Sequence, residues 1–259
     1  MKNQILFLGT GGSAGVPMIG CRCPVCTSQD LKNHRKRSSV LLNVQGKKIL
    51  IDAGLDFRAQ ALLYDIAHID ALLLTHAHAD HIGGMDDLRP FYFLNHKKLP
   101  CYLSKETLEE VKLRYHYFFH AGSSQKSMSA QIDFFPLIEE SGQVDVQGIC
   151  VNYFSFSQNG MKVTGFRIGS FAYVSDIRQY PATIFKELQG VDILVLSALR
   201  QAESSMHFSI DEAVEFSRNV QAKRTFLTHL SHEVDHEKVS ALLPQEVQLG
   251  FDGLMLPFE

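Results

Sequence analysis

The segment LLLTHAHADHIGG, residues Leu72 to Gly84, places four potential metal ligands within six positions. The short apolar run at its start predicts a buried strand that ends at these ligands. His76 and His78 are two residues apart, and extended backbone points the side chains of such a pair to the same side. Asp80 and His81 follow where the chain turns, so they are placed to face a second point nearby. The pattern predicts a site for two metal ions roughly 3.5–4 Å apart.

Short apolar, β-branched runs recur along the chain and predict strands. The predicted strands are Ile5–Leu8, Val40–Val44, Ile49–Ile51, Ala71–Leu74, Ile132–Phe135, Ile149–Phe156, Lys162–Ile168, Phe171–Val174, Ile193–Leu196 and Thr225–Leu227. Apolar periodicity and capping signals predict helices. They are Ser104–Phe118, Ser209–Val220 and Asp235–Leu243. Strands interleaved with helices, without a linker rich in Pro, Gly or Ser, predict one α/β domain of layered sheets over residues 1–259.

Composition narrows the class of protein. The chain has 259 residues, 45% of them hydrophobic and 20% charged, which is ordinary for a globular protein. The net charge of −3 offers no basic field for nucleic acid. No run reaches the roughly 18 apolar residues of a membrane span, and the N-terminus lacks the features of a signal peptide. We therefore expect a cytoplasmic location, where the five cysteines serve as thiols or metal ligands rather than disulfides.

The H-x-H-x-D-H pattern resembles the metallo-β-lactamase superfamily, a four-layer αββα sandwich of metal-dependent hydrolases. Three further superfamily positions match in order and spacing: Asp52 in ILIDAG, Asp176 in FAYVSD and His229 in TFLTHLSH. The resemblance implies that Asp176 bridges two divalent metal ions and that Asp52 orients the ligand loop from behind them. The implied metal ligands are His76, His78, Asp80, His81, Asp176 and His229.

Within this superfamily, the chain resembles the PhnP-type phosphoribosyl 1,2-cyclic phosphodiesterases. The resemblance lies in the segments FLGTGGSAGVPMIGCRCPVC, RKRSSVLL, GGMDDLRPF and GFDGL. His207, in SSMHFSIDEA, matches the active-site histidine that contacts the substrate phosphate or the leaving group. The resemblance implies hydrolysis of a small cyclic or linear phosphodiester by a metal-activated water. It makes His207, as an imidazolium, a catalytic residue together with Asp80 and Asp52.

Position 158 departs from the superfamily pattern. The superfamily usually supplies a third histidine to the first metal ion, and this chain has Gln158 there, with no histidine between residues 121 and 206. An amide oxygen binds zinc less well than imidazole does and suits harder ions better. We expect Gln158 or a water to complete the first site. The site should then bind metal weakly or prefer Mn²⁺ or Fe²⁺ to Zn²⁺, or the enzyme should be mononuclear.

The segment GCRCPVC raises the question of a disulfide, a redox motif or a further metal site. Its three cysteines are Cys21, Cys23 and Cys26. A structural zinc ion takes four tetrahedral ligands, so a fourth ligand must come from elsewhere in the chain. The PhnP-like resemblance places it at His232, and His236 is the alternative. A Cys₃His site would tie the N-terminal loop to the segment that bears His229. We therefore expect one structural zinc in addition to the two active-site ions.

Two loops carry weaker signals. The segment GTGGSA, residues Gly9 to Ala14, fits a dinucleotide-binding pattern, but Val16 and Pro17 follow it where a helix is required. We expect a tight glycine loop beside the metal site instead. Arg35 and Arg37 are candidates for anion contact, although a solvated basic turn is the preferred interpretation.

Other functions remain open at this stage. A transfer-RNA 3′-processing endonuclease of the superfamily typically carries a long Gly/Pro-rich arm, which this sequence lacks. A PqqB-like protein of quinone-cofactor biosynthesis shares the cysteine cluster and departs from the usual ligand set. A metal-binding scaffold without activity, or a hydrolase of thioesters or lactams, also fits the ligands alone. The preferred interpretation gives a small-molecule phosphodiester as substrate, with nucleic acid and membrane disfavoured, and it is compatible with a homodimer.

Overall fold

The architecture is described by a computed structural model of residues 2–119 and 129–259. Fourteen strands occur in these residues: β1 (Asn3–Gly9), β2 (Ser39–Val44), β3 (Lys47–Ile51), β4 (Ala71–Leu73), β5 (Leu99–Ser104), β6 (Ile132–Leu137), β7 (Ser141–Val146), β8 (Ile149–Gln158), β9 (Met161–Ile168), β10 (Phe171–Val174), β11 (Ile193–Ser197), β12 (Arg224–Thr228), β13 (Val247–Leu249) and β14 (Met255–Phe258). They form two sheets, with strand orders β14-β1-β2-β3-β4-β5-β6 and β13-β12-β11-β10-β9-β8-β7.

Helices lie between the strands. They are α1 (Phe57–Leu63), α2 (Ala79–Ile82), α3 (Arg89–Asn95), α4 (Lys105–Arg114), α5 (Ile184–Glu187), α6 (Ile210–Val220) and α7 (His236–Ser240), with 3₁₀ turns at Leu31–Asn33, Met85–Leu88 and His116–Phe118. The expected capping box begins α6, because the Ser209 and Glu212 side chains each accept a hydrogen bond from the other's backbone N–H. Across residues 2–119 and 129–259, no helix is both long enough and apolar enough to span a membrane.

Apolar cores separate the layers of the described part of the chain. The core between the sheets contains Phe7 and Ile51 from the first sheet and Phe166 and Phe226 from the second. The outer face of the first sheet packs against α1 to α4, and that of the second sheet packs against α5 to α7. This arrangement is the four-layer αββα sandwich that the resemblance implied, and the predicted fold class is confirmed.

Parallel pairing brings the ligand-bearing loops to one edge of the sandwich. In the first sheet, Ile51 at the end of β3 pairs with Leu73 at the end of β4. In the second sheet, β10, β11 and β12 run parallel, and Leu196 pairs with Leu227. Because parallel strands present their carboxyl ends on the same side, the loops that follow them start level with one another.

The boundaries of several elements differ from the sequence prediction. The helix predicted over Ser104–Phe118 ends at Arg114 and is followed by a 3₁₀ turn. The helix predicted over Asp235–Leu243 is shorter, at His236–Ser240. The strands β5, β7, β13 and β14 were not predicted. The β7 strand is a polar edge strand and β13 has only three residues, so neither has the apolar run on which the prediction depended.

Candidate metal centre

The candidate site forms where loops leave the carboxyl ends of strands in both sheets. Asp52 and His229 directly follow β3 and β12, and Asp176 follows β10 after one residue. All three have left-handed backbone, with φ of 62°, 62° and 56° for Asp52, His229 and Asp176. This conformation costs a non-glycine residue roughly 1–2 kcal/mol. A protein keeps such strained backbone only where many surrounding contacts hold it, and residues of this kind concentrate at functional sites.

The first ligand group contains His76, His78 and Asp176. The Nε2 atom of His76 is 3.1 Å from Nδ1 of His78 and 3.5 Å from Oδ2 of Asp176. The ligand atoms of the three residues all lie within 4.8 Å of one another. The two histidines therefore point to the same side, as predicted, although both lie in the loop after β4 rather than in the strand.

The second ligand group contains Asp80 and His81 from α2 and His229 from the loop after β12. Oδ2 of Asp80 is 3.4 Å from Nε2 of His81 and 3.3 Å from Nε2 of His229. Oδ1 of Asp176 lies 3.3 Å from Nε2 of His229, and its Oδ2 lies 3.7 Å from Nε2 of His81. The carboxylate of Asp176 thus faces both groups, as a bridging ligand must.

Asp52 lies behind His81 and is fully buried. Its Oδ2 accepts a hydrogen bond of 2.7 Å from Nδ1 of His81, and the carboxylate also accepts the backbone N–H and the hydroxyl of Thr75, each at 2.9 Å. With its Nδ1 proton held in this way, His81 presents the lone pair of Nε2 to the cluster. Asp52 thus contacts His81 on the side away from the ligand cluster, and its orienting role stays a prediction.

The donor set fits divalent metal ions. Metal–ligand bonds of 2.0–2.2 Å put tetrahedral nitrogen and oxygen ligands about 3.3–3.6 Å apart, and the nitrogen–oxygen distances here are 3.3–3.7 Å. Among the described residues, Nε2 of His81 is buried without a hydrogen-bond partner. Burial raises the pKa values of Asp80 and Asp176, but the neighbouring histidines outweigh it and hold both pKa values well below the usual range. Buried ionised carboxylates need compensating positive charge, which metal ions would supply.

His207 and Gln158 form the wall of the site next to these groups. The His207 ring stacks on His229 with centroids 4.7 Å apart, and Gln158 is buried at the end of β8. Burial and the neighbouring His229 lower the pKa of His207 to about 4. The role of His207 as an imidazolium stays a prediction.

The cysteine cluster forms a separate group with one histidine. Its members are Cys21, Cys23, Cys26 and His232. The Sγ atoms of Cys21 and Cys23 each lie 3.4 Å from Nδ1 of His232, and tetrahedral zinc would put such sulfur and nitrogen atoms about 3.5 Å apart. Hydrogen bonds from the Cys26 backbone and from His232 lower the pKa of Cys23 to about 6, which favours the thiolate. His236 lies outside this group, with its ring edge-on to Phe251.

The burial of Arg35 was not predicted from the sequence. It is 1% exposed and donates to the Ser231 carbonyl and to Oδ1 of Asn33, each at 3.2 Å. The preferred interpretation of a solvated turn is therefore wrong for Arg35, which ties the N-terminal loop to the segment between the two ligand histidines. Arg37 is partly exposed and pairs with Asp56 at 3.0 Å. A basic run alone carries no signal that distinguishes these two environments.

Glycines allow the loops to approach the ligands. A Cβ atom on Gly12 would lie 3.2 Å from Nδ1 of His229, so the glycine loop does lie beside the metal site, as predicted. A Cβ atom on Gly54 would overlap the backbone carbonyl oxygen of Asp80. Gly54 therefore allows the loop after β3 to pack directly against α2, which carries two of the ligands. This second contact has no signature in the sequence.

Comparison with known proteins identifies the family. Residues 47–230 match the family described as the beta-lactamase superfamily domain. An octanoyltransferase from Porphyromonas gingivalis is 34% identical over 256 residues, which are 97% of this chain and 51% of that protein. The chain thus spans about half the length of this curated relative.

Solved structures agree with this family. The crystal structure of a diphosphatase from the PhnP family is 36% identical, with a TM-score of 0.91 over 100% of this chain and 98% of that chain. Zn²⁺-bound PqqB from Methylobacterium extorquens has the same fold at 18% identity, with a TM-score of 0.78 over 98% and 100% of the two chains. The chain therefore belongs to the metallo-β-lactamase superfamily of metal-dependent hydrolases, and it resembles the PhnP-type members in both sequence and fold.

Proposed function

We propose that the chain hydrolyses a phosphoric ester of a small molecule, with a cyclic or linear phosphodiester as the substrate class. The observation that carries this proposal is the pair of ligand groups that share Asp176, with His207 stacked beside them. Two metal ions held close together are typical of enzymes that displace a leaving group from phosphorus. The 36% identity to a PhnP-family diphosphatase over the whole chain supports hydrolysis at phosphorus, although that protein's name indicates a diphosphate rather than a diester.

The side chains of the two groups would hold the ions. The proposed ligands are His76, His78 and Asp176 for the first ion, and Asp80, His81, His229 and Asp176 for the second. When bound, the ions lower the pKa of water and place positive charge beside the phosphate oxygens. His207 would donate a ring N–H to the phosphate or the leaving group, and an anionic substrate raises its pKa toward the protonated form.

We propose unequal metal sites. The second group has two histidines and Asp80, and Asp176 also faces it, whereas the first group has two histidines and Asp176 alone, with Gln158 where the superfamily has a third histidine. The first site should therefore bind more weakly, with Mn²⁺ or Fe²⁺ as alternatives to Zn²⁺. The Cys₃His group should hold a structural zinc. We also propose a cytoplasmic location, where cysteines serve as thiols or metal ligands; none of the five cysteines, all within the described residues, forms a disulfide.

The alternatives within the superfamily receive less support. The net charge of −3 disfavours a transfer-RNA substrate. The likeness to PqqB is 18% identical and supports the fold alone. The octanoyltransferase is about twice as long as this chain, so its name does not assign acyl transfer to the matched half. The thioester in the substrate panel below tests that chemistry.

The test is a substrate panel with purified wild type, His207→Ala and the exposed control His68→Ala, each loaded with Zn²⁺ or Mn²⁺. The panel contains a cyclic ribose phosphate, bis-nitrophenyl phosphate, a nucleoside diphosphate, an octanoyl thioester and a precursor transfer RNA. We expect phosphodiester turnover that His207→Ala lowers by roughly 100-fold or more at unchanged metal content, while His68→Ala behaves as wild type. Turnover of the thioester or the RNA alone, or a diester rate independent of His207, would contradict the proposal.

A further inference from the structure

The side chain of Gln158 contacts both the bridging carboxylate and the ring of His207. Its Nε2 lies 3.3 Å from Oδ2 of Asp176, 3.1 Å from Nδ1 of His207 and 3.3 Å from Nε2 of His207. Gln158 is 2% exposed, so water does not compete for these contacts. Its carbonyl oxygen has no hydrogen-bond partner in the described part of the chain.

The chemistry of the amide decides which end faces these groups. A glutamine NH₂ group has two N–H donors, an ionised carboxylate only accepts, and a neutral imidazole has one accepting nitrogen. With the nitrogen in this place, each donor has an acceptor. One of these donors lies 3.3 Å from Oδ2 of Asp176, which can only accept. The hydrogen-bond network therefore selects the orientation in which Gln158 donates.

The backbone on either side of Gln158 is held in place. It ends β8 and is followed by a tight turn in which Asn159 and Gly160 both have positive φ, 47° and 83°. The Ser157 N–H donates to the Gln179 carbonyl at 2.8 Å, and the Gln179 N–H donates back to the Ser157 carbonyl at 2.9 Å. This pairing joins the β8 end to the segment just after Asp176. The backbone that carries the Gln158 amide is thus fixed by its pairing with the segment after Asp176.

The His207 ring lies between two partners. One is the ring of His229, at a centroid distance of 4.7 Å and an interplanar angle of 28°, and the other is the amide of Gln158. The chain around His207 is also fixed, because the Leu199 N–H donates to the Phe208 carbonyl at 2.9 Å. Removal of the amide would leave the ring free to turn away from the metal cluster.

We propose that Gln158 is a positioning residue that donates to His207 and Asp176, and that it is not a metal ligand. The inference rests on the proposed role of His207 in phosphodiester hydrolysis. The side chain at the position of the superfamily's third histidine thus orients the His207 ring beside the metals.

The test compares Gln158→Ala and Gln158→Leu with wild type and with Gln143→Ala, a glutamine on the exposed face of β7. Metals per chain are counted by mass spectrometry after loading with Mn²⁺ or Zn²⁺, and kcat and KM are measured with bis-nitrophenyl phosphate. We expect unchanged metal counts in every variant and a kcat that falls roughly 10- to 100-fold at both Gln158 variants, with KM within a few-fold. Loss of one metal per chain in Gln158→Ala and Gln158→Leu would overturn the proposal, because it would identify a ligand.

A double-mutant cycle shows whether Gln158 acts through His207. In the His207→Ala background, Gln158→Ala should have no further effect on kcat, and a full additional loss would overturn the proposal. Failure of the proposed function is distinguishable, since it would leave the wild type inactive toward every diester. The metal counts and the ¹⁵N chemical shifts of the His207 ring then still test the inference. The ring shifts should change in Gln158→Leu and stay unchanged in Gln143→Ala, and identical spectra would refute the contact.

Discussion

Replacement of Cys23 by serine should remove one zinc ion per chain and destabilise the fold. Sγ of Cys23 lies 3.4 Å from Nδ1 of His232, and the two residues are 209 positions apart in the chain. A zinc ion bound to both therefore closes a very long loop. The chain-entropy relation for a cross-link of this length gives about 5 kcal/mol of stabilisation.

This free energy should be visible as a lower melting temperature. For a chain of this size, 1 kcal/mol corresponds to roughly 2–4 °C, so Cys23→Ser should melt about 10–20 °C below wild type. The assay is calorimetry at a fixed free zinc concentration, together with zinc per chain by mass spectrometry. The matched control is Cys150→Ser, because Cys150 is an exposed thiol outside the cluster. We expect Cys150→Ser to retain both the zinc count and the melting temperature of wild type.

The same variant should weaken metal binding in the active site. The Gly12 N–H donates to the Leu230 carbonyl at 3.1 Å, and the Leu230 N–H donates to the Thr10 carbonyl at 2.9 Å, so the N-terminal loop holds the segment that bears His229. Loosening this loop should lower the affinity of the second active-site group. A zinc count equal to that of Cys150→Ser, or a melting temperature within about 2 °C of it, would refute the reasoning.

Three further substitutions test the surroundings of the site. Asp52→Asn should weaken metal binding roughly 10- to 100-fold in a chelator competition, because it alters the hydrogen bond that orients His81. An unchanged metal affinity would argue against a positioning role for Asp52. Gly54→Ala should lower the free energy of unfolding in urea by about 1–3 kcal/mol, because the added Cβ would overlap the carbonyl oxygen of Asp80. Wild-type stability of this variant would mean that the loop after β3 can move to accommodate a methyl group. Burial raises the pKa of Asp252 to about 6, above the value of an unfolded chain, so the folded state binds the extra proton between about pH 4 and pH 6. The free energy of unfolding should therefore fall by about 3 kcal/mol as the pH rises through this window, because of this group alone. Asp252→Asn should reduce that fall. Parallel plots of unfolding free energy against pH for the two proteins would contradict the assignment.

The proposed metal ligands could be found from the sequence because metal binding restricts residue type. Few side chains bind divalent ions, and here they follow apolar runs that the fold places in buried strands, as at His76 and Asp176. The superfamily resemblance then supplied the layer arrangement, which the sheets and cores confirm. Boundaries were less accessible where the pattern is weak. The polar edge strand β7 is stabilised by its pairing with β8, and the sequence of β7 alone does not reveal that partner.

Tertiary structure alone decided the features that depend on contacts between distant segments. It separated His232 from His236 as the partner of the cysteines, buried Arg35 beneath the N-terminal loop and turned the amide of Gln158 toward His207. The physical reason is that burial, charge environment and hydrogen-bond geometry arise only when strands far apart in the chain meet. The sequence determined which atoms are available as donors and ligands, and the packing of the two sheets determined which of those atoms face one another.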